Sequence, residues 1–190
     1  MKKVFFLSLM IFLLGCSNNI NLKSDKVSVK IFDKKELIDI QNIIDFVDDI
    51  VKENTNQEEI NKAYHLYFDT LKDSMFASNF IVPINRDKKL KFLESINEKT
   101  VEEFWLTDYS QNRFLILNRN GKFMEYLKNI AETDTVYYHF YDNFYAMGDI
   151  TTSQLIIHFS NNNDIDFNEV KNRLLAAICL FTISEPVVKS

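Results

Sequence analysis

The 190 residues carry 22 Lys and Arg against 27 Asp and Glu, a formal charge of −5, and 46% of the side chains are hydrophobic, enough to fill one core. This acidity argues against phosphate backbones and anionic lipid surfaces, where Lys and Arg supply the attraction. Two cysteines make no disulfide framework, and 3 glycines with 2 prolines argue against strand-and-turn folds.

The chain opens MKKVFFLSLMIFLLGC: two lysines, then a stretch from Val4 to Leu14 whose only polar member is Ser8, then Gly15 and Cys16. Spanning the hydrocarbon core takes about 20 apolar residues, so this run is too short, and its layout is that of a secretory signal peptide. Leu13-Leu14-Gly15-Cys16 resembles the lipobox of bacterial lipoproteins. That resemblance implies cleavage before Cys16, a diacylglycerol thioether on its thiol and often a further acyl chain on its amine. Each buried CH₂ contributes ~0.8 kcal/mol, and two or more chains hold a protein stably. Ser17, standing where Asp would favour retention, implies the outer membrane facing the periplasm if the host is Gram-negative. Removing residues 1–15 leaves 20 basic and 27 acidic side chains, a charge of −7. Residues 16–26 read as a lipidated tether and 27–190 as a single helical domain. With Cys16 consumed, Cys179 in LLAAICLF reads as a buried, inert thiol.

VSVKIF (27–32) alternates like a strand and is taken as a short extended lead-in. Asp33 to Glu36, DKKE, fits a capping box, followed by Leu37, Ile40, Ile44, Val47 and Val51 on one helical face. Asn56 to Glu59, NQEE, fits a second box before the stripe Ile60, Tyr64, Tyr67, Leu71 and Met75, and the short connection predicts a helical hairpin. Pro83 marks a break. Asp87 opens a shorter helix with Leu90, Leu93 and Ile96 inward, and TVEE (100–103) caps another that carries Phe104 and Trp105. In RFLILNRNGKF, Asn120-Gly121 permits either a hairpin or two helices, and the helical period resumed by FMEYLKNIAE favours two helices. Further helices are predicted over Thr135 to Met147, ending at Gly148, and over TTSQLIIHF. A last amphipathic one runs from Phe167 to Ile183, capped by DFNE and stopped before Pro186. The fold class expected is all-α, a single irregular bundle of about six to eight helices.

Chemistry-bearing patterns are few. His65, His139 and His158 stand far apart with no HExxH, so neither a metal nor another cofactor is expected. Asp164, Asp166 and Asn168 alternate like the first calcium-loop ligands, but Glu169 stands where Gly is needed and Leu175 where the closing Glu belongs. No nucleophile elbow or phosphate loop is present, and no catalytic residue is assigned.

Two surfaces are candidates for binding. Asp45, Asp48, Asp49 and Glu53 form an acidic patch suited to a basic partner. In YYHFYDNFY, Phe140 and Phe144 continue a core stripe while Tyr137, Tyr141 and Tyr145 make a second one, about 100° round the helix, in the manner of interface tyrosines. The expectation is a lipid-anchored envelope protein that binds a protein partner and not nucleic acid, in one version an immunity-type protein that occludes an envelope-targeted toxin. The alternatives are a helical hydrolase or small-ligand carrier with a pocket at Tyr137, Tyr141 or Trp105, and a passive envelope assembly component.

Overall fold

Asp25 starts the first helix: its carboxylate accepts the backbone N–H groups of Val27 and Ser28, and VSVKI winds into α1 (Lys26–Ile31). The extended lead-in is therefore corrected to a helix, because the cap and the burial of one helical face outweigh the strand propensity of Val and Ile. The computed structural model describes residues 22–77, 79–108, 114–147 and 151–183. Leu22, in a 3₁₀ turn over Leu22–Ser24, is buried, and its N–H donates to Gln41 Oε1. Residues 22–26 thus belong to the domain and not to a tether.

The helix α2 (Lys34–Thr55) has the expected capping box. Asp33 accepts the N–H of Glu36, and Glu36 accepts the N–H of Asp33 at 2.7 Å. All five residues of its expected stripe are buried. Asn56 does not begin the next helix but ends this one, in the left-handed region at φ 53, which Asn tolerates better than most residues. α3 (Ile60–Phe76) then packs back on α2, with Tyr64, Tyr67 and Leu71 inward, completing the helical hairpin.

α4 (Arg86–Leu93) is capped by Asn85 rather than Asp87, and α5 (Glu98–Phe104) by Asn97 rather than by Thr100. The Thr100 hydroxyl is drawn away to Asp39 at 2.7 Å. Trp105 leaves the helix and begins β1 (Trp105–Asp108), antiparallel to β2 (Phe114–Leu117), with Trp105 opposite Leu117 and Leu106 opposite Ile116. FLIL (114–117) is therefore a strand, not a helix, because alternation puts Leu115 and Leu117 in the core and Ile116 outside.

α6 (Lys122–Ala131), α7 (Thr135–Met147) and α8 (Thr152–Ser160) follow, the last with a capping box at Thr151. α9 (Val170–Thr182) begins three residues later than expected and is not amphipathic: eleven of its thirteen residues are buried. It packs on α2, α8 and β2 as a central helix, since a helix apolar on every side must be surrounded. Among the described residues, nine α-helices and one two-stranded sheet make the domain all-α, and none of these helices is long and apolar enough to cross a membrane. Cys16, Gly148 and Pro186 lie outside the described residues.

Candidate partner-binding surface

The tyrosine stripe of α7 divides. Tyr137 points inward, 2% exposed, and its hydroxyl donates to Asn172 Oδ1 of α9 at 2.6 Å, with the Lys171 ammonium 5.5 Å from its ring. Burial raises its phenol well above the ordinary value, so it stays a donor. One and two turns on, Tyr141 is half-buried and Tyr145 is 67% exposed, their rings stacked at 5.9 Å and 23°. The neighbouring Tyr138 is also exposed.

These two rings face a hollow of about 270 Å³ shared with the turn before α6, lined by Arg119, Lys122 and Lys128 together with Glu103 and Glu125. The turn is held down firmly. Asn118 Nδ2 donates to the Glu102 carbonyl at 2.6 Å, and the Lys122 N–H donates to Glu103 Oε2 at 2.8 Å. Gly121 is required by close approach: a Cβ there would sit 2.1 Å from the Glu103 carbonyl oxygen. Arg119 Nη2 donates to the Tyr145 carbonyl at 3.0 Å, satisfying an end carbonyl in the last turn of α7, where a cation is favoured. Lys122 reaches Glu36 at 2.5 Å, which raises its ammonium above the usual lysine range. The result is an aromatic pair edged by cations on an acidic domain.

The acidic patch is also divided. Asp45, Asp49 and Glu53 are exposed at four-residue spacing along α2, Asp45 accepting from Gln41 and Glu53 lying 3.5 Å from Lys88. Asp48 is buried and belongs to a different arrangement. It accepts from Arg173 Nη1 at 2.5 Å and from the Tyr64 hydroxyl at 2.8 Å. Burial raises the Asp48 carboxyl, against the pull of Arg173 and Tyr64. Placing Asp48 on the surface with its neighbours is corrected here; only the burial of α9 shows that a charge on α2 has an internal partner.

Trp105 is a core residue, 1% exposed, with Nε1 donating to Thr182 Oγ1 at 3.2 Å, and it does not line the hollow at Tyr141 and Tyr145. Cys179 is fully buried and its thiol is pushed far up by desolvation. The His65 ring bonds the Ile165 carbonyl at 3.0 Å, and His158 packs between Phe140 and Phe159. Among the described residues, no group of three or more His, Cys, Asp or Glu is placed to hold a metal ion. Asp164 and Asp166 share a second hollow with Asp134 and Glu169, opposed by Lys171, whose ammonium is 2.8 Å from Asp134.

The fold and surface together define an all-α domain with one small sheet and an exposed aromatic–cationic hollow. Compared with known proteins, the chain matches no family model, no curated protein and no solved structure.

Proposed function

We propose that this chain is a bacterial lipoprotein, anchored in the cell envelope through acyl chains on Cys16, and that it acts by binding another protein. The anchor reading is supported by the register of Lys2-Lys3, the short apolar run and Leu-Leu-Gly-Cys in the sequence. The binding reading is carried by one observation, the Tyr141–Tyr145 stack left open beside Arg119 and Lys128. Tyrosine and arginine are the residues on which interfaces concentrate their affinity. In its most specific form the role is immunity-type: the domain covers a toxin that reaches the envelope.

Two measurements test this. Labelled palmitate is incorporated by the wild-type chain and lost in Cys16→Ser; equal labelling of both refutes the anchor. A photo-crosslinker at position 138 captures one discrete partner from the envelope, and the yield falls at least fivefold in Tyr145→Ala, a change of about 1 kcal/mol or more for an interface tyrosine. A yield indifferent to Tyr145→Ala refutes the binding surface.

A further inference from the structure

The overall acidity of the chain is not evenly spread. Residues 22–35 contain five lysines against two aspartates, whereas residues 36–190 contain 15 basic against 25 acidic side chains. The basic stretch is where the described fold begins: the 3₁₀ turn, α1 and the first turn of α2. Lys26, Lys30, Lys34 and Lys35 are all exposed. Both aspartates are engaged as caps: Asp25 serves α1 and also accepts from Tyr126, and Asp33 serves α2. Glu36, the next acid, is buried against Lys122.

Three features set this region apart. Lys26 stands at the first position of α1, and Lys34 and Lys35 at the first two of α2, where the helix dipole disfavours a cation. Two of the exposed large hydrophobic residues sit among these lysines, Val29 at 50% and Ile38 at 53%. Helical spacing puts Val29 on the face of Lys26, with Lys30 next to it in the chain, and Ile38 on the face of Lys34 and Lys35. The solvent face of α2 then changes sign along its length. At 1.5 Å per residue, Asp45 lies about 16 Å and Glu53 about 28 Å from Lys34, beyond a Debye length of about 8 Å.

We infer that the surface formed by α1 and the first turn of α2 docks on anionic phospholipid headgroups, with Val29 and Ile38 dipping among them and the acidic end of α2 turned away. The occupant follows from where the chain enters. Only six residues lead from Cys16 to Leu22, a reach of about 20 Å when extended, so an anchor at Cys16 holds this surface against its own bilayer. Lysine ammonium groups carry the electrostatic attraction, and the two apolar side chains add a small insertion term. This rests on the anchor reading. It goes beyond that reading by giving the domain an orientation, with Asp45, Asp49 and Glu53 presented away from the membrane.

The full chain, purified from membranes, is reconstituted into phosphatidylcholine vesicles with or without about 30 mol% phosphatidylglycerol, and each lysine is quantified after amine-reactive labelling. Lys26, Lys30, Lys34 and Lys35 are expected to label about fivefold less on the anionic vesicles, with the difference lost in high salt. Lys62 and Lys91, exposed elsewhere, label equally on both. In the Lys26→Glu, Lys30→Glu variant the protection of Lys34 and Lys35 disappears, whereas Lys62→Glu leaves it intact. Equal labelling of the four lysines on both vesicles overturns the inference, as does protection that also covers Lys62 and Lys91. The mass of the N-terminal peptide, read in the same sample, reports the anchor separately: an acylated Cys16 with unprotected lysines sinks the docking surface and leaves the anchor standing.

Discussion

Asp48→Asn removes one charge and almost no volume from the centre of the domain, and its cost follows from what remains. Arg173 is 4% exposed, and its Nε and Nη2 have no partner among the described residues, so Asp48 is the only counter-charge seen on the guanidinium. Breaking one side of a buried ion pair costs about 3–5 kcal/mol, because the surviving charge stays desolvated. The Tyr64 hydroxyl keeps an acceptor in the amide oxygen, so little is added from that side. For a domain of this size each kcal/mol lowers Tm by about 2–4 °C, which puts the expected drop at about 6–20 °C. Urea unfolding followed by far-UV circular dichroism measures the free-energy loss and thermal unfolding the drop in Tm, with the exposed Asp49→Asn as the comparison, expected within about 0.5 kcal/mol of wild type. Replacing Asp48 with Leu, Arg173 with Met and Tyr64 with Phe together should recover most of the loss, since an apolar cluster of similar volume often equals a buried pair. If Asp48→Asn costs no more than Asp49→Asn, the buried-pair account is wrong. Charge reversal to probe the acidic face must therefore leave Asp48 alone and use Asp45, Asp49 and Glu53.

Gly121→Ala is expected to destabilise by about 1–3 kcal/mol, since the added methyl meets backbone at Glu103 rather than a movable side chain; an unchanged urea midpoint would mean the turn before α6 shifts freely. The His158 imidazole, half-buried beside Phe140 and Phe159 with its inaccessible Nε2 unpartnered among the described residues, has its pKa lowered by desolvation from 6.5. The unfolded chain therefore binds this proton more readily. The histidine's contribution is intact above about pH 6.5 and declines as pH falls below it. His158→Phe should flatten the stability profile between pH 7 and pH 5, and an unchanged slope would assign that dependence to other groups.

Helix legibility tracked how local the determining interaction was. The capping box at Asp33, the stripe from Leu37 to Val51 and the span Thr135–Met147 were readable because each depends on residues within one or two turns of the chain. Errors fell where a residue had two possible employers. Asn56 could cap the helix behind it or the one ahead, and Thr100 could cap α5 or bond Asp39 across the fold. Trp105 and FLIL (114–117) became strands because each found a partner in the other, and a pairing between residues about ten positions apart leaves no helical or turn signature in either alone.

The candidate surface was half legible for the same reason. Spacing on α7 identified three tyrosines at the margin of the core. It could not say that Asn172 draws Tyr137 inward while the Asn118–Gly121 turn leaves Tyr141 and Tyr145 at an open hollow. On α2, four acids were evident, and only the passage of α9 through the centre of the fold showed that Asp48 serves Arg173.

By itself, the amino-acid sequence determined the helical class, which resides in composition and short-range spacing. The tertiary structure alone decided which charges are inside and which face out. A side chain's burial is a property of everything packed around it, and for Asp48, Tyr137 and Trp105 those neighbours come from α9, more than thirty residues away along the chain.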